Sequence, residues 1–216
     1  MTTVFWNVDT QHDFMRNDSE YQGKLAIAGA QEIENNLERI TKLAKEKNMR
    51  VVNTADWHTS ASREISATPN FRTTFPEHCM QDTKGAMYIP ATNPENPYVV
   101  SWQDKTFDAQ KVRDHRNIVI YKDEFDVFHK TGAPHTEKIL DIIKPTTAVV
   151  YGVATNVCVN DAVLGLAAKG INVYVVKDAI KELPDLPVET IYDAWKNAGV
   201  KYTTTESLLF YITREE

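Results

Sequence analysis

The chain has 216 residues, and 24 Lys plus Arg against 30 Asp plus Glu give a formal net charge of −6. That length fits one domain, expected over residues 1–216, and an acidic balance without a basic run argues against nucleic acid or a membrane surface as partner. No apolar run reaches the ~20 residues of a membrane helix, Met1–Asp9 lacks a basic leader, and Cys79 and Cys158, the two cysteines, are expected as reduced thiols, so a cytoplasmic location is expected.

Thr3–Val8 reads as a strand ending at Asp9. Over Gln31–Lys47, Ile33, Leu37, Ile40 and Leu43 share one stripe at helical spacing. Arg50–Ala55 is a second strand delivering Asp56 and His58 at its C-terminal end. An irregular stretch rich in Pro, Asn and Thr then runs from Thr59 to about Arg116, a length that is usually functional. Asn117–Tyr121 reads as a strand ending at Lys122, Thr136–Ile143 as a helix, Thr147–Tyr151 as a strand, and Val157–Lys169 as a helix stopped by Gly170. Ile171–Val176 is a strand leading to Asp178, Pro187–Ala198 a helix, and Lys201–Thr203 a short strand before a closing Leu208-Leu209-Phe210 segment. Strands alternating with helices predict an α/β fold of three layers, doubly wound, with a mainly parallel central sheet.

In such sheets ligands bind beyond the carboxyl ends of the strands, and Asp9, Asp56, His58, Lys122 and Cys158 all fall at or just past predicted strand ends. Gly152 opens a tight turn after an apolar strand, and Cys158 stands where the next helix begins. A thiol at a helix N-terminus faces unpaired N–H groups and the positive end of the dipole, which favours its thiolate and provides donors for an oxyanion. Against this, a free Cys is commonly a small buried hydrophobe, Asp9 alone reads as a turn cap, and Lys122 alone as a solvated strand end.

Gly152-Val153-Ala154-Thr155-Asn156-Val157-Cys158-Val159 resembles the nucleophile segment of the isochorismatase-like cysteine hydrolases, whose amidase branch includes the nicotinamidases. Asp9-Thr10-Gln11-His12-Asp13-Phe14, Asp56-Trp57-His58 through His78-Cys79, and Lys122-Asp123-Glu124-Phe125 resemble further family segments in the expected order. The resemblance implies a triad of Asp9 as general base, Lys122 as oriented ammonium and Cys158 as nucleophile, with a thioester intermediate. It further implies an oxyanion hole from the N–H groups of Ala154 and Cys158, a cis bond between Val153 and Ala154, and substrate contacts from Phe14, Phe75 and Val153. Phe75 stands where the family often has Trp.

Asp56 and His58, at i and i+2 of an extended segment, face one side, and carboxylate plus imidazole suits zinc, iron or manganese. Alone, that pair reads equally as loop residues. The resemblance to the nicotinamidase pattern implies Asp56, His58, Glu64 and His78 as ligands of one divalent transition metal, zinc first, with Glu77 an alternative to Glu64. His12, His115 and His135 match no ligand position and are expected at the surface or in loops. Cys79 and Asp178 are expected to be structural.

The activity implied is hydrolysis of nicotinamide to nicotinate and ammonia, supporting NAD salvage, by an amidase acting on linear C–N bonds of small aromatic amides. A ureidoacrylate, maleamate or N-carbamoyl amidase of the same superfamily is the alternative, and a non-catalytic metal or thiol binding protein a further one. Self-association into homo-oligomers is expected from the family.

Overall fold

The computed structural model describes residues 2–184 and 187–214, so Met1 and residues 215–216, the ends of the expected domain span, lie outside the described residues. In chain order the elements are β1 (Thr3–Val8), α1 (His12–Met15), α2 (Glu34–Glu46), β2 (Arg50–Asp56), β3 (Tyr98–Ser101), α3 (Ala109–Asp114) and β4 (Asn117–Lys122). There follow α4 (Thr136–Ile143), β5 (Thr147–Val153), α5 (Cys158–Ala168), β6 (Asn172–Lys181), α6 (Glu189–Asn197), β7 (Lys201–Thr203) and α7 (Thr205–Arg214). The strands form one sheet in the order β3-β4-β2-β1-β5-β6-β7, and every neighbouring pair is parallel. No helix among the described residues is long and apolar enough to cross a membrane.

Alternation along the strands builds two cores, one on each face, because both sides of a parallel sheet are covered. Val4, Trp6 and Val8 of β1, with Ile118 and Ile120 of β4, pack beneath Val112 of α3, Ile139 of α4, Val163 of α5 and Trp195 of α6. Phe5 of β1 and Val149 and Tyr151 of β5 face the other way, onto Leu37, Ile40 and Leu43 of α2 and Leu208 of α7. These are the three layers expected.

Several boundaries differ from the sequence reading. The stretch from 59 to 116 is not wholly irregular: it holds the edge strand β3 and helix α3, whose N-cap Asp108 accepts from the N–H groups of Gln110 and Lys111. The closing segment is a full helix, capped by a residue remote in sequence, since Asp178 Oδ1 accepts from Thr205 N at 2.8 Å and Thr205 Oγ1 at 3.1 Å. Strand β6 runs on to Lys181 because its register against β5 shifts: Val150 pairs with Val175, yet Gly152 pairs with Ile180.

The chain reverses its direction of sheet building between β1 and β5: β1 continues outward to β2 on one side, and β5 lies on its other side. A crevice at that switch point is where ligands of such sheets bind. Gly152 makes the approach possible, with φ +117° and no room for a Cβ, which would overlap the Val8 carbonyl oxygen of β1. Gly152→Ala is therefore expected to cost about 3 kcal/mol or more, whereas Gly170→Ala, at φ +76° with open space around it, costs about 1 kcal/mol. Denaturant midpoints of the two variants check this; equal losses would remove the steric argument.

Candidate active site

Four strand ends deliver the reactive groups. Asp9, just past β1, adopts φ 47° and is fully buried. Its N–H donates to Thr54 O at 3.2 Å, and Thr54 Oγ1 donates back to its Oδ1 at 2.6 Å. Lys122, the last residue of β4 and likewise buried, places its ammonium 3.0 Å from Asp9 Oδ2 and in a short contact with Asp56 Oδ1. The same ammonium donates to Glu124 O at 3.2 Å and points at Cys158 Sγ at 3.8 Å. Cys158 is the first residue of α5. The donor atoms of Asp9, Asp56 and Cys158 lie within 4.8 Å of one another, with the Lys122 ammonium among them.

Burial opposes a charge on Lys122, but Asp56 and Asp9 outweigh it, and the ammonium is held well above the ordinary lysine range. Burial likewise opposes ionisation of Asp56, yet Lys122 and the two histidines hold it well below the usual carboxylate range. Asp9 is pushed up by burial, against Lys122. The Cys158 thiol is also pushed well up, by burial first and then by Asp9, Asp56 and Glu64, with Lys122 pulling the other way. This corrects the expectation of a favoured thiolate: only 7% of Cys158 is exposed, so desolvation outweighs the ammonium.

The Val153–Ala154 peptide bond is cis. The N–H groups of Ala154 and Cys158 are unoccupied by any hydrogen bond among the described residues, as the start of a helix requires for Cys158. The side chain of Val153 packs into the core on the α2 side and does not line the cavity.

The second group lies beside the first. Asp56 Oδ2 is 3.7 Å from His58 Nε2 and from His78 Nε2, and Glu64 Oε2 is 3.7 Å from His58 Nε2. All four residues are buried, and one donor atom of each lies within 4.8 Å of the others. Each residue's remaining polar atom is engaged elsewhere. Asp56 Oδ1 meets Lys122, Glu64 Oε1 accepts from the Phe125 N–H, and the Nδ1 atoms of His58 and His78 face Asp123 Oδ1 at 3.2 Å and Pro76 O at 2.7 Å. A carbonyl only accepts, so His78 Nδ1 carries a hydrogen and Nε2 is the nitrogen turned toward the other donors. His58 Nε2 is buried with no hydrogen-bond partner. Two imidazoles and two carboxylates, oriented by outer hydrogen bonds and spaced not far above the about 3.4 Å edge of a tetrahedron with ~2.1 Å bonds, fit a divalent transition metal. Glu77 is exposed, which favours Glu64 as the fourth donor.

Both groups open on one inner cavity of about 20 Å³, lined by Asp56, Glu64, His78, Ala154 and Cys158 on its polar side. Phe14, Leu25, Ile27, Phe75, Phe125, Val157 and Leu183 form the apolar side. The rings of Phe14 and Phe75 stand 5.4 Å and 6.1 Å from that of His78. Leu25, Phe75, Phe125, Val157 and Leu183 also border an outer vestibule of about 940 Å³. The inner space holds little more than a water.

Other expectations resolve plainly. Asp13, within α1, is a buried clamp: Oδ1 accepts from Tyr21 Oη at 2.8 Å and Lys24 N at 2.9 Å, and Oδ2 from Cys79 N at 2.7 Å. It thereby fixes the turn carrying His78. Cys79 is buried and structural. His135 lies in the turn before α4, in keeping with the loop half of its expectation, yet it is buried, 5% exposed with Nε2 against Asp104 O at 2.7 Å. Sequence reading missed Gln11, whose amide donates to Asp56 O at 2.7 Å and accepts from Asp56 N at 2.8 Å. It also missed Ser62, which donates to Asp123.

In the metal-free chain, burial and Asp56 push Glu64 up to about 8, and Asp123 and Asp56 outweigh burial to raise His58 to about 9. An ion must displace those protons, so metal affinity is expected to rise steeply from pH 6 towards pH 8, with up to two protons released per ion. Glu64→Gln is expected to weaken retention at least about tenfold, and Glu77→Gln to leave it unchanged. Metal analysis after dialysis, with competition against a chelator across pH, checks both; retention insensitive to Glu64 or to pH overturns the ligand set.

The sequence profile of the isochorismatase domain matches residues 3–207. The chain is 33% identical over 70 residues to Isochorismatase family protein 2B of Dictyostelium discoideum, a match covering 32% of this chain and 33% of that protein. Among solved structures, the fold is similar to pyrazinamidase of Pyrococcus horikoshii in complex with zinc, at TM-score 0.72 and 24% identity over 94% of this chain and 99% of that one. It is similar also to N-carbamoylsarcosine amidase of Thermoplasma acidophilum, at TM-score 0.71 and 18% identity over 95% and 98% of the two chains. A nicotinamidase of Bacillus subtilis gives TM-score 0.70 and 20% identity over 94% and 99%. With that profile spanning nearly the whole chain on a parallel sheet of this order, the chain belongs to the isochorismatase domain family.

Proposed function

We propose that the protein is a metal-containing cysteine amidase that hydrolyses small aromatic amides to the carboxylate and ammonia, with nicotinamide the leading substrate and zinc the leading metal. The observation that carries this reading is that a thiol, with its acidic and ammonium partners, and a four-donor metal cluster face one small cavity whose other walls are apolar. Apolar walls suit a flat neutral ring, and no Lys or Arg lines that cavity among the described residues to receive a substrate carboxylate.

The proposed chemistry follows from the protonation states. Cys158 rests as a thiol, so nucleophile formation accompanies proton transfer to Asp9 as the sulfur attacks the carboxamide carbon. The carbonyl π electrons move to oxygen, and the N–H groups of Ala154 and Cys158 stabilise the negative charge there. Collapse of the tetrahedral adduct breaks the C–N bond, the nitrogen takes the proton from Asp9, and ammonia leaves a thioester. Water, giving a proton to Asp9, then attacks the thioester; the C–S bond breaks, the sulfur recovers that proton, and the carboxylic acid departs, releasing its remaining proton to solvent. Lys122 stays charged throughout and keeps Asp9 oriented. Asp56, His58, Glu64 and His78 would hold the metal, which when bound supplies a Lewis-acidic anchor for a ring nitrogen.

Ammonia release from nicotinamide, pyrazinamide, an N-carbamoyl amino acid and a ureidoacrylate, with and without chelator, tests the reading. Nicotinamide is expected to lead the panel, chelation to raise KM, and Cys158→Ala to lower kcat by at least about 10³-fold with the fold retained. Preference for a carboxylate-bearing substrate would redirect the assignment to the carbamoyl branch, and a fully active Cys158→Ala variant would remove the covalent mechanism.

A further inference from the structure

On the opposite face of the molecule's central sheet from α5, a second cavity of about 280 Å³ opens between α2 and the segment 90–95. Its floor is the sheet itself: Val51 and Asn53 of β2, Asn117 of β4 and Tyr151 of β5. Register places Tyr151 beside Asn7 and Asn7 beside Asn53, making a row of polar side chains across three adjacent strands. The asparagines are mutually satisfied. Asn7 Nδ2 donates to Asn53 Oδ1 at 3.1 Å, Asn53 Nδ2 donates to Ile118 O at 3.2 Å, and Asn7 Oδ1 accepts from Thr10 Oγ1 at 3.1 Å.

Tyr151 is the exception. The residue is 1% exposed, and its hydroxyl makes no hydrogen bond among the described residues while the side chain borders the cavity. The Tyr151 oxygen is not among the closed-off, unpartnered polar atoms, so it opens on the cavity and its donor is free for an acceptor supplied from outside. Burial keeps the phenol in its neutral, donating form, with Arg116 the charge that bears on it. Arg116 lines the same cavity and reaches only a loose ion pair with Glu95, at 3.9 Å, while Glu95 is engaged by Lys45 at 2.6 Å. At the exposed mouth Lys42 pairs with Glu46 at 3.9 Å and Lys45 with Glu95 at 2.6 Å, which leaves Arg116 as the lining cation without a close carboxylate among the described residues.

A donor phenol and an underused guanidinium, in a polar cleft, match an anionic oxygen ligand. We propose that this cavity is a second ligand site that takes a small carboxylate, with its oxygens accepting from the Tyr151 hydroxyl and the Arg116 guanidinium. Its volume, just below the usual range of ligand sites, limits the occupant to a single ring or a short chain. The site is separate from the cavity of Cys158, and none of its lining residues takes part in the proposed hydrolysis.

Calorimetric titration of the full chain with benzoate, and separately with inorganic phosphate, tests the assignment. Benzoate is expected to bind saturably, and Tyr151→Phe and Arg116→Gln are each expected to weaken it at least about tenfold. Tyr151→Phe removes an unpartnered hydroxyl and keeps the ring, so thermal stability and ammonia release are expected to hold. Benzoate bound in the Cys158 cavity would be indifferent to both variants. That indifference, the absence of binding at millimolar benzoate, or Tyr151-dependent binding of phosphate but not of benzoate, would each overturn the proposal.

Discussion

The buried ammonium of Lys122 is the interaction on which the rest of the site depends. A lysine removed from water needs compensating charge, and the fold supplies it from two strand ends, Asp9 at 3.0 Å and Asp56 in short contact. Each carboxylate then has one oxygen committed. Asp9 turns Oδ1 to the Thr54 hydroxyl and stays within reach of the thiol, while Asp56 turns Oδ2 toward two imidazoles. A single cation therefore orients both halves of the site, and it does so from β4, two strands away from β1.

The sheet explains why these groups meet. Parallel pairing puts every strand's carboxyl end on one edge, and the reversal between β1 and β5 opens that edge into a crevice. Gly152 lets β5 come close to β1, and the register shift that follows carries β6 on to Lys181, whose carbonyl accepts from Thr155 N at 2.8 Å. The turn leading into α5 is thus held from both sides. Asp13 does the same for the opposite wall, tying the Cys79 N–H to the loop after α1.

Much of this was legible in the sequence, for a physical reason. Long parallel strands read as apolar runs, and the residue types that carry chemistry punctuate their ends, so Asp9, Asp56, Lys122 and Cys158 could be placed before any coordinates. What escaped had no local signal. Four-residue β3 follows a Pro- and Asn-rich turn, and its pairing with β4 is a tertiary fact. Helix α7 is capped by Asp178, 27 positions earlier. The cavity walls gather Leu25, Ile27, Phe125 and Leu183 from distant segments, and apolar residues carry no mark of the cavity they will line. Asp123 reads as one more acid beside Lys122 until the fold sets it against His58 Nδ1. The resting thiol was misread because helix position and neighbouring cations are visible in sequence, whereas the depth of burial is not.

That burial gives the proposed chemistry its logic. An exposed thiolate reacts with whatever arrives, whereas a protonated thiol held beside a carboxylate of raised pKa becomes a nucleophile only as the proton moves between them. Lys122 does not make the thiolate the resting form; it lowers the cost of forming it, since its charge opposes the desolvation that holds the proton on sulfur. Asp56, Glu64 and Asp9 raise that cost again, because each adds negative charge to the same dry region. A divalent cation among Asp56, His58, Glu64 and His78 would offset part of that negative charge. The metal donors and the thiol are in this sense electrostatically joined through Asp56, the carboxylate that meets both His58 and the Lys122 ammonium beside the thiol. The apolar walls strengthen the coupling, since excluding water keeps the local dielectric low over the few ångströms between the two groups.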